Sequence, residues 1–316
     1  MYKYPVNIDF CKDFDRIILK QLERYDVSCS SSGYHLWCDF FNLIDKIIPP
    51  FSRKVHFSKE FICPPKWKIG LDNLIKKIEK GEPLLPHQSK LAIDPQAKEA
   101  LLYHWGVYHL HLGILPDVKN PKYVQRTEPL LFLCIDKKNA YLIGLYSHGE
   151  WGKLDILQRI KNNWAFLIKP YLLPEATAII GKNEDGEDVK IIPSDKDIIE
   201  MRRLGVTSPV QLPDGSIYCF AGNRGFMSSG HSCSIITRCD HIHNSFIRFE
   251  NYIKTNTVFL IEDIYDKLNI KLAKLIFVLW IEDGIIYAYE LQSHYCLYLC
   301  KSSDLGFVFD IPLYNK

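Results

Sequence analysis

The 316-residue chain has no excess of charge of either sign, with 39 Lys and Arg against 37 Asp and Glu. No global field therefore draws it to nucleic acid or to anionic lipid, and only a local basic groove could serve such a partner. It also lacks a long apolar run. The most hydrophobic stretch, KLAKLIFVLWIEDGIIYAYEL, is broken by Glu282, Asp283 and Gly284, too early to cross about 20 residues of lipid, so it reads as strand, turn, strand and no membrane partner is expected. The opening MYKYPVNIDFCKDFDR is charged and has no apolar core of a secretory signal, which points to a cytoplasmic protein. There is no C-x-x-C among the ten cysteines, and Cys233 with Cys239 or Cys296 with Cys300 does not match a zinc ribbon, so reduced, mostly buried thiols are expected. Two further signatures are missing. The small-residue loop GNRGFMSSGHS lacks the GK[ST] ending of a phosphate-binding loop, and no G-x-S-x-G elbow occurs.

What is present supports a folded α+β protein. The chain is 47% hydrophobic and 13% aromatic, enough for well-buried cores. Residues 1–95 alternate helical signals (FDRIILKQLERY, DNLIKKIEKG) with prolines at 49–50, 64–65, 83 and 86, predicting a mostly helical N-terminal region. In LDNLIKKIEK, Leu71, Leu74, Ile75 and Ile78 recur at helical spacing and Gly81 supplies the stop. Residues 96–170 form a β-rich block with an antiparallel sheet: VYHLHLG, then PLLFLCID and AYLIGLYSHG as a hairpin, then the helix DILQRIKNNW. Residues 171–316 read as a C-terminal α+β region, with DG turns at 185–186 and 214–215, a helix capped by Ser194, a helix at SFIRFENYIKTN and a closing β-meander.

Histidines concentrate in the central block: His104, His109 and His111 in HWGVYHLHLG, and His148 in SHGEW. On a strand, period-2 geometry puts His109 and His111 on one face with Val107, while Tyr108, Leu110 and Leu112 face the other way. His104, at the end of the preceding helix, could fold back over the strand's edge. Two chemistries use such a pair. Imidazoles can act as general base and acid without a cofactor, with Arg126 of YVQRTEPLLF as the stabilising cation. Alternatively, His-x-His can ligate a divalent transition metal, completed by His148, His104 or Asp136. A structural role for the histidines, in a non-catalytic binding or scaffolding protein with a protein partner, is the third reading. The spacing does not choose among them.

The order YHLHLG, RTEPLLFLCID, NAYLIGLYSHG, over about residues 100–165, resembles the central sheet of RelE-like ribonuclease toxins. The resemblance implies a toxin-like or antiviral-defence protein that cleaves RNA, or another phosphodiester, without a metal. In it the ribose 2′-hydroxyl would attack the adjacent phosphate, Arg126 would hold that phosphate, and His109 or His111 would serve as base or acid. Elsewhere, RCDHIHN holds a second pair, His241 and His243, that could form a metal site with His231 and Cys233, but i and i+2 diverge on a helix, so Asp240 or Asn244 reads as a helix cap. Trp105, Trp151 and Trp164 could stack bases, but beside apolar strands they read as core.

Overall fold

The computed structural model describes residues 4–24, 26–220, 225–227 and 229–307. The fold is α+β. In chain order, the N-terminal third forms β1 (Val6–Asn7), α1 (Phe10–Arg24), α2 (Gly33–Lys46), β2 (Lys54–Phe57), α3 (Lys68–Lys80) and α4 (Ala100–Trp105). The middle forms β3 (Tyr108–His111), β4 (Leu130–Ile135), β5 (Asn139–Tyr146), α5 (Leu154–Trp164), β6 (Ile179–Lys182), β7 (Asp188–Ile191), α6 (Asp195–Arg203), β8 (Val210–Gln211) and β9 (Ile217–Tyr218). The last part forms α7 (Cys233–Thr255), α8 (Thr257–Leu268), β10 (Leu275–Glu282), β11 (Ile285–Glu290) and β12 (Cys296–Lys301). Contacts divide the described chain into two compact units: residues up to Phe41 with those from Ile235 onward, and Asn42–Ser234.

The second of these units is built on a four-stranded sheet ordered β2-β5-β4-β3. The hairpin β4–β5 and the pair β3–β4 are antiparallel, with His109 opposite Phe132 and His111 opposite Leu130. β2 joins parallel to β5, so the sheet is mixed rather than wholly antiparallel and recruits a strand from the N-terminal stretch. Its four residues KVHF, set between proline pairs, are too short to show a period. Both faces are apolar. Leu130, Phe132, Tyr141, Ile143 and Tyr146 pack with Ile156, Leu157, Ile160 and Trp164 of α5 on the face that β3 shares through Val107. Leu110, Leu112, Leu131, Leu133 and Leu142 pack with Leu71, Leu74 and Ile78 of α3 on the other. The histidine face of β3 is therefore part of a packed layer, and its margin beside His148 and Arg126 is the part that stays partly exposed.

Local sequence explains the flanking helices. α3 ends at Gly81 in the left-handed region, φ 72°, where a side chain would be strained. α6 starts with a reciprocal capping box between Ser194 and Asp197. The DG turns close the hairpins β6–β7 and β8–β9.

In the other unit, β1 runs parallel to β10, and β10–β11–β12 form the expected meander. Phe10, Phe14, Trp37 and Phe246 pack edge to face. Glu290, fully buried, accepts the N–H groups of Ile276, Gln292 and Ser293 and the Ser293 hydroxyl, so its buried oxygens are satisfied by four donors. The structure corrects one expectation here. Asp240 and Asn244 cap nothing, because α7 runs unbroken through RCDHIHN. The buried stripe Ile235, Cys239, Ile242, Phe246 and Ile253 continues on both sides of that segment at helical spacing and outweighs the local cap signal. His241 and His243 diverge as i, i+2 requires: the first contacts the Asp304 carbonyl, the second the Trp37 ring. Of the loop GNRGFMSSGHS, residues 222–224 and 228 lie outside the described residues, and Phe226 and Ser232 bridge across its turn.

Gly70 sets the distance between α3 and the sheet, since a Cβ there would overlap the carbonyl oxygen of Leu112 at the end of β3. Helix propensity alone favours alanine by about 1 kcal/mol. We expect Gly70→Ala nonetheless to destabilise the protein by about 1–3 kcal/mol, the cost of overpacking, measured by urea unfolding. A neutral or stabilising result would show that α3 does not pack on Leu112 as described.

Candidate active site

β3 carries the site because it is an edge strand whose neighbour β4 is entered through the loop holding Arg126, Thr127 and Glu128. His111 is only 3% exposed. The Thr127 amide N–H donates to His111 Nδ1 at 2.9 Å, and the Thr127 hydroxyl oxygen accepts from Leu112 N–H at 2.9 Å. With Nδ1 occupied as acceptor, the neutral ring carries its proton on Nε2. Burial, then the positive charge of Arg126 and the neighbouring histidines, push its pKa down to about 3. His111 is thus a neutral hydrogen-bond donor at physiological pH.

His109 lies edge-to-face against Trp151, ring centroids 5.0 Å apart, and Trp151 stacks on Phe132 at 5.3 Å. Burial, with His148 and Arg126 adding to it, lowers the His109 pKa to about 4. Its Nδ1 is 3.9 Å from the Glu99 carboxylate. Glu99 is largely desolvated, which raises its pKa to about 7 despite the opposing charge of Lys46. Between them this pair holds a proton that is exchangeable near neutrality, and it sits on the carboxyl rather than on the imidazole.

His148 completes the group from the turn after β5. Its ring centroid is 5.9 Å from that of His111 and 5.8 Å from Trp151. Glu128 holds it twice, accepting its backbone N–H at 2.8 Å and facing Nδ1 at 3.0 Å. Those two hydrogen bonds hold the Glu128 carboxyl below its usual range. Both side chains of this dyad are about half exposed. Arg126 is half buried; it donates to the Gln88 carbonyl at 2.8 Å, lies 5.7 Å from the Tyr123 ring, and acts electrostatically on both His109 and His111.

His104 is placed differently. Gly106 ends α4 in the left-handed region, φ 69°, and His104 is buried among Trp105, Phe220 and Phe226. Its Nδ1 accepts from Arg202 Nε at 3.0 Å, while Arg202 also donates to the Trp151 carbonyl and lies 4.0 Å over the Trp105 ring. Burial pushes Arg202 down to about 9. His104 therefore supports the residue that anchors Trp151. Asp136, offered as a possible metal ligand, lies at the far end of β4 from His111, about 20 Å along the strand at about 3.3 Å per residue, and is used by the turn, accepting from the amides of Lys138 and Asn139. Among the described residues no three His, Cys, Asp or Glu side chains gather as a metal-ligand set.

Comparison with protein-family models, with curated proteins and with solved structures finds no match to this chain. The chemistry must be read from the residues themselves. The structure brings together His109, His111, His148 and Arg126 with Trp151, and adds Glu99, Glu128 and Thr127, which no motif in the sequence marks as chemistry. Glu128 had one signal: it stands two residues after Arg126 in the same loop.

Because Glu99 binds its proton more tightly folded than unfolded, its contribution to stability is full below about pH 4.5 and is lost as pH rises to about 7. Glu99→Gln removes that loss. We expect the stability of wild type relative to E99Q, from urea unfolding at several pH values, to fall by up to about 3 kcal/mol between pH 4.5 and 7 and then level off. A pH-independent difference would show that Glu99 is not desolvated. His109 and His111 act oppositely, since their lowered pKa values withdraw stability as pH falls below about 6.5.

Proposed function

We propose that this chain is a metal-independent nuclease-like enzyme that cleaves a phosphodiester, RNA being the substrate class, with His148 as general base. One observation carries the reading: a half-exposed imidazole held by a carboxylate, His148 with Glu128, stands beside a ring fixed as an N–H donor, His111. A base oriented by a third group and facing a pre-set donor is the arrangement that acid–base catalysis uses.

In this reading neutral His148, its Nδ1–H directed to Glu128, takes the proton of a ribose 2′-hydroxyl through Nε2. The 2′-oxygen attacks the adjacent phosphorus, and the bond to the 5′-oxygen breaks. The His111 Nε2–H and the Arg126 guanidinium neutralise the charge that builds on the non-bridging oxygens. The departing 5′-oxygen needs a proton, and Glu99 beside His109 is the carboxylic acid still partly protonated at neutral pH. The products are a 2′,3′-cyclic phosphate and a 5′-hydroxyl. His148 and Glu99, rather than His109 or His111, take these roles in this reading, because burial lowers the pKa of both rings, which leaves them weak bases and without the imidazolium an acid needs. Among the described residues no helix is long and apolar enough to cross a membrane, and the proposed setting is cytoplasmic.

The test is cleavage of a mixed-sequence oligoribonucleotide and its 2′-deoxy counterpart, with and without EDTA. Only the ribonucleotide should be cut, EDTA should have no effect, and His148→Ala should lower kcat by about 10²–10⁴. Arg126→Lys should also lose activity, because an ammonium cannot reproduce the guanidinium fork on a phosphate. Cleavage abolished by EDTA would favour the metal-dependent hydrolase, and absence of cleavage would favour a binding protein.

A further inference from the structure

Outside the candidate site, the first unit brings two cysteines from distant parts of the chain into contact. Cys38 on α2 and Cys239 on α7 are 201 positions apart, and their Sγ atoms are 3.7 Å from each other. Both are buried. One turn before Cys38, the Tyr34 hydroxyl donates to the Asp240 carboxylate at 2.6 Å, so α2 and α7 are pinned beside the thiols. A disulfide needs about 2.05 Å between sulfurs, so the two sulfurs must approach by about 1.7 Å to close one. The hydrogen shared between the two sulfurs lowers the Cys38 thiol and raises that of Cys239, which makes Cys38 the sulfur that ionises first.

We propose that Cys38 and Cys239 are an oxidation site, closing to a disulfide when a hydroperoxide reaches them. The Cys38 thiolate attacks the terminal peroxide oxygen, giving a sulfenic acid and releasing the alcohol or, from hydrogen peroxide, water. The Cys239 sulfur then attacks the Cys38 sulfur, the S–S bond forms, and the sulfenic oxygen leaves as water with the Cys239 proton. Two thiols and one peroxide become one disulfide, one alcohol (or water) and one water. The bond would join residues far apart in sequence, which restricts the unfolded chain and raises the melting temperature.

The experiment treats the full chain with hydrogen peroxide, blocks remaining thiols with iodoacetamide after unfolding, and maps disulfides in a non-reducing digest by mass spectrometry. The expected result is a Cys38–Cys239 linked peptide that forms before other pairs, disappears with dithiothreitol, and accompanies a Tm several degrees higher; Cys38→Ala should abolish the shift. Recovery of both cysteines fully alkylated at a dose that oxidises exposed Cys296, or a first cross-link between other cysteines, would overturn the proposal. The mapping on wild type decides the question even if Cys38→Ala fails to fold.

Discussion

The hydrogen bond from the Thr127 amide to His111 Nδ1 settles both the geometry and the protonation of the histidine face. Thr127 ties the loop before β4 to the end of β3 through His111 and Leu112, and the same loop carries Arg126 and Glu128. Fixing one ring therefore fixes where the cation and the His148 partner stand. It also leaves His111 with a proton on Nε2 and without a free lone pair, so the ring can donate but not accept. Ligation of a metal by either nitrogen would require breaking that bond or moving that proton.

Burial then assigns the remaining roles. The sheet is covered on both faces by α5 and α3, and Trp151 closes over His109. Desolvation disfavours every charged form under that cover, and so it drives His109 and His111 to stay neutral while it keeps a proton on Glu99. The Glu128 carboxyl, half exposed and hydrogen-bonded twice to His148, is instead held below its usual range. One sheet edge thus presents a dry side with a protonated carboxyl and a wet side with a carboxylate-held imidazole, which is the separation acid–base chemistry needs. Arg202, braced by His104 and Trp105, holds the backbone of the tryptophan that contacts both His109 and His148.

Local pattern made much of this fold legible. The hairpin β4–β5 follows from two apolar runs about a turn-forming Asp136–Asn139, α3 from its leucine and isoleucine spacing, and α6 from Ser194. Alternation along β3 placed His109 and His111 together. Long-range pairing was not legible: β2 joins β5 across more than 80 residues, and nothing within KVHF announces it. Nor was the partnership of Glu99 with His109, or of Glu128 with His148, because these depend on the loops' return paths. The surroundings of His104 were not legible either, because its ring packs against Phe220 and Phe226 and takes Arg202, all about 100 residues or more away in sequence. Asp240 was misread as a cap because the buried stripe that carries α7 through it extends well beyond the local motif.

The claim on which the account turns is that the histidines of β3 are neutral and His111 is locked as the Nε2–H tautomer. Nitrogen-15 NMR of the imidazole rings, followed from pH 8 to pH 5, reads this directly. His111 should show a protonated Nε2 and an acceptor Nδ1 throughout, and neither His109 nor His111 should become imidazolium in that range. An Nδ1–H tautomer for His111, or titration of either ring near pH 6.5, would contradict it.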